Sequence, residues 1–306
     1  MRNHRANLTH IAFANGEHLL SGWIRHNIRV GFSNFPFDGC LGYWGLPKQH
    51  LKAQRIDGAI LDGILARTTL EENEREDLLV KRTNYSLWKL GVDSVDNGQK
   101  IKSPPAHLEQ NTYAFSMSWH LCEQCVREQT EELGFSYWVR RHQIPSVTHC
   151  FKHGSILLTH PCVKRLDRLA LPAKLLGENE FIPVSQNHSL LEWSNFVIEV
   201  DRLIASNPDL ITLWQSEVKR ILALPEVTRH KDKPFFQALS KRMESDLGDG
   251  ILNHLFRAYR DERQSKPDVL WRTLSGLRKQ KTTRHPVFWL VILYWLRDSL
   301  TSLDKI

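Results

Sequence analysis

The sequence predicts a mostly α-helical protein in three parts: a helical N-terminal unit, a small finger-like unit with short β-strands, and a C-terminal helical bundle. Two observations predict this arrangement. Apolar residues recur at helical spacing in the first third and the last third of the chain. Between these regions lie two tight pairs of potential metal ligands, Cys122 with Cys125 and Cys150 with His153. At 306 residues the chain exceeds the usual size of one compact core, so several units are expected.

The N-terminal unit is predicted to span residues 1–91. Residues 16–29 place leucine, isoleucine and tryptophan side chains on one helical stripe, and residues 56–65 repeat the pattern. Thr69, with Glu72 three residues later, has the capping-box spacing that begins another helix. Two helices joined by a short turn are a candidate helix-turn-helix, although a plain helical hairpin has the same pattern.

Residues 92–105 lack an apolar period and end in two prolines, which is typical of a linker. The finger-like unit is predicted to span residues 106–170. Because Zn²⁺ prefers four tetrahedral nitrogen or sulfur ligands, Cys122, Cys125, Cys150 and His153 predict a zinc finger with one zinc ion. Four protein ligands leave no open coordination position, so the ion is predicted to be structural.

The finger is expected to depend on its ion, because so small a unit cannot bury a good apolar core of its own. Residues 135–141, between the two ligand pairs, are expected to form a strand or a short helix. The chain has five cysteines, an odd number that argues against a disulfide framework and for a reducing compartment. Its polar, basic N-terminus resembles neither a signal peptide nor an anchor, so a cytoplasmic location is predicted.

The C-terminal helical domain is predicted to span residues 185–306. About six helices are expected, at residues 190–205, 210–224, 235–247, 251–263, 269–279 and the apolar run at 287–296. The ten residues of that run are too few for a transmembrane helix, which needs about 20. A buried core helix is therefore expected, and no membrane contact.

The chain carries 41 basic and 34 acidic residues, a net charge of +7 that suits a polyanionic partner. Much of the excess lies near the C-terminal end. The candidate contacts to nucleic acid or to a ribonucleoprotein are Arg257, Arg260, Arg263, Lys266, Arg272, Arg278, Lys279, Lys281, Arg284, Lys241 and Arg242. A solvated helical face is the alternative interpretation of the same residues.

No enzyme is predicted from the remaining motifs. His107 and Glu109 ahead of the first cysteine pair have the order found in zinc deaminases. However, Leu121 stands where those enzymes have proline, and the assignment leaves Cys150 and His153 without a role. No phosphate-binding loop and no nucleophile elbow occur. A DNA-binding regulator that uses the helix-turn-helix and the finger is the stronger alternative to the function considered next.

The residues around the ligand pairs resemble the TniQ/TnsD family of transposition target-selection proteins. The resemblance rests on Cys122 and Cys125, on the stretch GFSYWVRRHQIP at residues 134–145, and on CFKHG at residues 150–154. Residues 17–25 are similar to the family's N-terminal helix, and residues 252–279 to the helical region behind its finger. The sequence departs from the family at Glu123 and Phe151, where a proline commonly follows the first cysteine of each pair.

This resemblance implies a non-catalytic adaptor in a prokaryotic cytoplasm. Such a protein couples target recognition to recruitment of the AAA+ ATPase TnsC, while transposase subunits cut and join the DNA. The target is recognised through an RNA-guided Cascade CRISPR complex or by direct binding of attachment-site DNA, and a homodimer is left open. The chain is short for the DNA-binding kind, which favours docking on Cascade. The ion is then expected to hold the residues between the two ligand pairs as a surface for partners.

Overall fold

The computed structural model describes residues 11–32, 37–44, 46, 58–66, 70–92, 112–159, 170–178, 180–185, 187, 190–224, 232–260, 269–278 and 284–301. The chain divides into two compact units, each built from two separate segments. Unit 1 comprises Met1–Tyr85 and Met117–Gln186, and unit 2 comprises Ser86–Ser116 and Asn187–Ile306. The described residues are mostly helical, with one small sheet, which confirms the predicted fold class.

The helices in the first segment of unit 1 are α1 (Leu19–Asn27), α2 (Phe37–Tyr43), α3 (Gly58–Leu65) and α4 (Glu72–Arg82), and α5 (Tyr85–Trp88) lies where the chain passes to unit 2. The second segment contributes α6 (Glu123–Leu133), α7 (Pro172–Glu178) and three two-residue strands, β1 (His120–Leu121), β2 (Leu158–Thr159) and β3 (Ile182–Pro183). The strands form an antiparallel sheet in the order β1-β2-β3, in which His120 pairs with Thr159 and Thr159 with Ile182.

Helix α1 has the apolar stripe that the sequence predicts. It begins at His18, whose ring nitrogen Nδ1 accepts a hydrogen bond from the backbone N–H of Leu20 at 3.2 Å. The helix buries Leu19, Leu20, Trp23 and Ile24. This face is one side of the core of unit 1.

Helix α4 begins two residues later than its predicted cap. Glu71, not Thr69, is the N-cap, and its backbone N–H donates to the carboxylate of Glu74 at 2.8 Å. The predicted box of Thr69 and Glu72 was therefore wrong in register, because glutamates at 71 and 74 have the same three-residue spacing. Thr69 itself lies outside the described residues. Helices α3 and α4 both exist, and the helix-turn-helix geometry stays a prediction.

The finger shares its core with the N-terminal helices. Trp119, Trp138 and Val126 are buried in one cluster with α1, α2 and α3, and the rings of Trp119 and Trp138 lie 5.1 Å apart. The backbone is joined as well, since the N–H of His18 donates to the carbonyl of Trp138 at 2.9 Å. The finger therefore packs into a core that it shares with distant parts of the chain and does not form one of its own.

Unit 1 thus combines most of the predicted N-terminal unit at residues 1–91 with most of the predicted finger at residues 106–170, whose first residues, up to Ser116, belong to unit 2. The predicted linker at residues 92–105 lies outside the described residues except for Val92. At residues 135–141, where a strand or a short helix was expected, Val139 forms a bridge with Glu17 and a short 3₁₀ turn begins, Arg140–Gln143.

The helices of unit 2 are α8 (Leu190–Ser206), α9 (Leu210–Ile221), α10 (Lys233–Leu255), α11 (Arg257–Arg260), α12 (Val269–Ser275) and α13 (Val287–Trp295). Short 3₁₀ turns at Lys89–Gly91, Gly276–Arg278 and Arg297–Ser299 complete it. The predicted helices at 235–247 and 251–263 correspond to the two arms of α10, which are separated by a kink where Gly248 has φ 69° and ψ 169°. The second of them is interrupted at Phe256, whose extended backbone bridges to Tyr113.

Helix α13 contains the apolar run at the C-terminal end of the chain. Seven of its residues, from Val287 to Tyr294, are buried, which confirms the predicted core helix. Among the helices that the structure describes, none combines the length and the apolar character needed to cross a membrane.

Candidate metal centre

The first ligand pair lies at the junction of strand β1 and helix α6. Cys122 has an extended backbone, with φ −113° and ψ 124°, and is the N-cap of α6. Cys125 follows in the first helical turn. Side chains three residues apart at the start of a helix lie on the same face, so the sulfurs of Cys122 and Cys125 lie on one side of α6. Glu123 stands where a proline would favour a tight turn. Here the start of α6 brings the two sulfurs together instead.

The second ligand pair lies in a turn at Cys150–Gly154. The N–H of Gly154 donates to the carbonyl of Cys150 at 2.8 Å, and the N–H of Cys150 donates to the carbonyl of Ser155 at 2.8 Å. Gly154 has φ 64°, a left-handed conformation in which a side chain would be strained. These two hydrogen bonds fold the chain back so that His153 faces Cys150.

The four ligand atoms converge with the dimensions of a tetrahedron. His153 Nδ1 lies 3.4 Å from Cys122 Sγ, 3.4 Å from Cys125 Sγ and 3.6 Å from Cys150 Sγ. Cys125 Sγ and Cys150 Sγ lie 3.6 Å apart, and all four atoms are within 4.8 Å of one another. In a tetrahedral zinc site, sulfurs are about 3.8 Å apart and a sulfur is about 3.6 Å from a nitrogen. The group is thus sized to hold one metal ion.

The group is enclosed as well as compact. Cys122, Cys125 and Cys150 are buried, and the side chain of His153 is 14% exposed. Three thiols and an imidazole nitrogen are a donor set that suits a soft or borderline metal ion. Four protein donors at the corners of a tetrahedron also complete the coordination of such an ion, so the arrangement favours a structural role over a catalytic one.

A second layer of polar groups surrounds the ligands. The second ring nitrogen of His153, Nε2, lies 3.0 Å from Glu128 Oε1 on α6. The other oxygen of Glu128 accepts a 2.6 Å hydrogen bond from Lys152 Nζ. Ser155 Oγ lies 3.3 Å from Cys122 Sγ, within reach of a hydrogen bond to a thiolate.

Contacts among the ligands shift their pKa values. Hydrogen bonds from the Cys125 and Cys150 thiols lower the pKa of Cys122, while hydrogen bonding to Cys122 raises the pKa of both partners. Burial lowers the pKa of His153, but hydrogen bonds to Glu128 and Cys122 outweigh it and raise the pKa overall. Lys152 and His153 lower the pKa of Glu128. A bound metal ion must displace the remaining protons, so its affinity falls as the pH falls.

The residues from Trp138 to His149, ahead of the second ligand pair, are almost all interior. Trp138, His142 and Gln143 are almost fully buried, and even Arg140 is only 8% exposed. Arg140 donates to the carbonyl of Thr83, the C-cap of α4, at 2.9 Å. The expectation that this stretch forms a surface for partners was therefore wrong, because its side chains hold the finger to the N-terminal helices.

The candidate nucleic-acid contacts all belong to unit 2. Arg263, Lys266, Lys279 and Lys281 lie outside the described residues, and for Arg278 only the backbone is described. Lys241 and Arg242 are exposed on α10, Arg257 and Arg260 are exposed on α11, Arg272 is exposed on α12, and Arg284 is half-buried ahead of α13.

Several of these cations hold structure in place. Arg257 Nε donates to the carbonyl of Tyr113 at 2.9 Å, and Arg260 donates to the carbonyl of Asn253. Arg284 donates to the carbonyl of Arg272 at 3.3 Å. Arg242 lies 3.6 Å from the carboxylate of Asp246 and also faces the ring of Trp295. Contact with nucleic acid stays a prediction for the whole set.

Sequence reasoning missed Glu128 and Ser155. A signal for Glu128 was present, because it follows Cys125 by three residues on the same helix and so lies on the face that carries the ligand. Ser155 had no such signal. His107 and Glu109, the residues of the deaminase alternative, lie outside the described residues.

No protein-family model and no curated protein matches this chain.

Proposed function

We propose that this protein is a non-catalytic target-selection adaptor of a transposon. It carries one structural zinc ion and couples target recognition to recruitment of a TnsC-like AAA+ ATPase and, through it, the transposase. The proposal rests on the resemblance to the TniQ/TnsD family, and one observation carries it further. The two stretches that resemble the family, at residues 17–25 and 134–145, are far apart in sequence but bind each other directly in unit 1.

Hydrogen bonds join the first stretch, together with Gly16 just before it, to the second stretch, and contacts within the first stretch support them. Ser21 Oγ accepts a hydrogen bond from the N–H of Trp138 at 3.0 Å and also donates to the buried carboxylate of Glu17 at 3.1 Å. Arg25 forms a salt bridge of 2.8 Å with that carboxylate. The N–H of Arg140 donates to the carbonyl of Gly16 at 2.8 Å. Chance matches at two separate places have no reason to form one bonded unit, which supports the family assignment.

Zinc is the ion that the ligand set favours. Thiolate and imidazole donors select zinc over magnesium and calcium, which prefer oxygen, and zinc accepts a tetrahedral geometry without penalty. The four ligand atoms leave no coordination position for a substrate. A role in holding unit 1 together fits the site better than a role in chemistry.

Of the two target modes, we favour docking on a Cascade complex over direct reading of an attachment site. Arg257, Arg260 and Arg284 each use part of their hydrogen-bonding capacity on a backbone carbonyl, which leaves fewer donors for DNA phosphates. Lys241 and Arg272 remain as exposed cations that suit a ribonucleoprotein surface.

The decisive experiment is a pull-down of the purified protein with a purified TnsC-like ATPase and with a purified Cascade complex. Titration of attachment-site and random DNA over a range of salt runs in parallel. We expect both proteins to be retained, and DNA to bind weakly, without sequence preference and with a steep salt dependence. Replacing Lys241 and Arg272 with glutamine should weaken retention of Cascade. Arg127→Gln, which removes an exposed cation from unit 1, is the control.

Two other outcomes would contradict the proposal. Tight, sequence-specific binding of an operator with no retention of the ATPase or Cascade would favour the DNA-binding regulator. Turnover of free nucleobases that disappears on substitution of Glu109 would favour the zinc deaminase.

A further inference from the structure

Helix α6 brings a carboxylate to the back of the imidazole ligand. Cys125 and Glu128 are three residues apart on this helix, so the sulfur and the carboxylate approach the second ligand pair together. Glu128 Oε1 lies 3.0 Å from His153 Nε2, on the side of the ring opposite Nδ1. Its other oxygen is held by Lys152 at 2.6 Å.

The chemistry of imidazole makes this contact specific. A neutral histidine carries one ring proton, and only the nitrogen without it can bind a metal ion. His153 Nδ1 is the nitrogen within 3.4–3.6 Å of the three sulfurs, so when Nδ1 binds the ion the ring proton must reside on Nε2. A carboxylate oxygen beside Nε2 accepts that proton in a hydrogen bond and thereby favours the tautomer that coordination requires.

We propose that Glu128 is a positioning residue of the metal centre, which fixes the tautomer and the ring orientation of His153 through the hydrogen bond to Nε2–H. Lys152 holds the second carboxylate oxygen and so limits rotation of the Glu128 side chain. The inference rests on the zinc centre of the proposed function and is independent of the adaptor role.

A simpler interpretation is that Glu128 and Lys152 form an ordinary surface ion pair. Their side chains are 37% and 52% exposed, and exposed pairs contribute little to stability. The two interpretations differ in what they predict for the metal. A surface pair has no reason to change zinc affinity, whereas a hydrogen-bond partner of a ligand commonly changes it by about 10-fold to 100-fold.

The test measures zinc affinity of the full-length protein by competition with a chromophoric chelator. Because Glu128 is partly exposed, we expect Glu128→Ala to weaken binding about tenfold, at the lower end of the range for such partners. Glu128→Gln, which keeps an acceptor but not the charge, should fall between that variant and the wild type. Glu131→Gln, which removes an exposed carboxylate from the same helix, is the matched control and should bind like the wild type.

A second background separates an effect through His153 from a general electrostatic effect. His153→Cys converts the ligand set to four thiols, which have no second ring nitrogen for Glu128 to hold. We expect Glu128→Ala to leave zinc affinity unweakened in this background. An equal loss in both backgrounds, or a Glu128→Ala affinity equal to that of Glu131→Gln, would overturn the inference. A wild-type protein that binds no zinc would overturn the centre itself.

Discussion

His18 is buried as a neutral imidazole at the start of helix α1. Its Nδ1 accepts the N–H of Leu20, and its ring meets the ring of Trp119 edge-on at 5.2 Å. Burial, and then the nearby charge of Arg140, lower the pKa of His18 to about 3. The folded protein therefore keeps His18 neutral at weakly acidic pH, where a solvent-exposed histidine would be protonated.

The consequence is a loss of stability in acid. An unfolded chain protonates this histidine below pH ~6.5, whereas the folded chain does so only near pH 3. The contribution of neutral His18 to the free energy of unfolding is complete above pH ~6.5. It declines as the pH falls toward 3, by up to about 1.4 kcal/mol per pH unit. Between pH 7 and 5.5, urea denaturation should show that the wild type loses about 1 kcal/mol more than His18→Asn, which keeps a capping acceptor but cannot titrate. Equal losses would contradict the assignment.

The ligand cysteines should differ sharply from the other described cysteine. Cys122→Ser replaces a thiolate ligand with a poor one, so we expect metal analysis to fall from one zinc per chain toward none. The free energy of unfolding should fall by several kcal/mol, since bound metal stabilises only the folded state. Cys40→Ala also removes a buried thiol, one that lies 3.2 Å from Asn27 Oδ1, and should keep its zinc. Zinc retained in Cys122→Ser would refute the ligand assignment.

At the scale of elements, the ligands were predictable because their spacing is local. Cys122 and Cys125 share the start of one helix, and Cys150 and His153 share one turn, so each pair is fixed by the few residues around it. The kink at Gly248 falls in the predicted gap between the helices at 235–247 and 251–263, whereas the break at Phe256 was harder to predict. The predicted helix continues past residue 256, and only the extended backbone of Phe256 ends α10.

The turn at Lys89–Gly91 requires a glycine at position 91 because of a close backbone contact and not because of its φ angle. The carbonyl of Gly91 accepts the N–H of Arg284 at 2.9 Å, and a Cβ at Gly91 would overlap the backbone carbonyl of Arg284. Gly91→Ala should therefore lower the free energy of unfolding by about 2 kcal/mol, through overpacking that the backbone cannot relieve.

A glycine in open space provides the control for Gly91. Gly177 lies in helix α7, and nothing lies within 4 Å of a Cβ placed there. Gly177→Ala should leave stability unchanged or raise it by up to about 1 kcal/mol, because alanine is the better helix former. Thermal or urea unfolding of the two variants measures both effects. Similar changes in the free energy of unfolding for Gly91→Ala and Gly177→Ala would show that the backbone contact at Gly91 does not exclude a side chain.

At the scale of the whole molecule, the division into units could not be read from the sequence. Trp138 is an obvious core residue by type, but no local pattern indicates that it shares a buried cluster with Leu20 and Trp23, more than 100 residues earlier. Motif spacing reports on chain neighbours, whereas a shared core is decided by packing between distant segments.

The two units should respond differently to removal of metal. All four ligands and the core cluster around Trp138 belong to unit 1, whereas α13 belongs to unit 2. On addition of a chelator, hydrogen exchange should accelerate at the amides of Cys150 and Gly154, whose hydrogen bonds shape the second ligand turn. The amides of α13 should stay protected. Loss of protection spread evenly over both units would contradict this prediction, and Cys122→Ser should show no further change with chelator.

The order in which unit 1 receives its parts also affects how the protein is made. Helix α1 leaves the ribosome before Trp138, whose N–H donates to Ser21 and which lies 117 residues downstream. At a synthesis rate of roughly 5–20 residues per second, the apolar face of α1 waits about 6–25 seconds for that partner. During this interval the nascent chain exposes an apolar helix face to which chaperones and other nascent chains bind. The yield of folded protein is therefore expected to depend on the rate of translation.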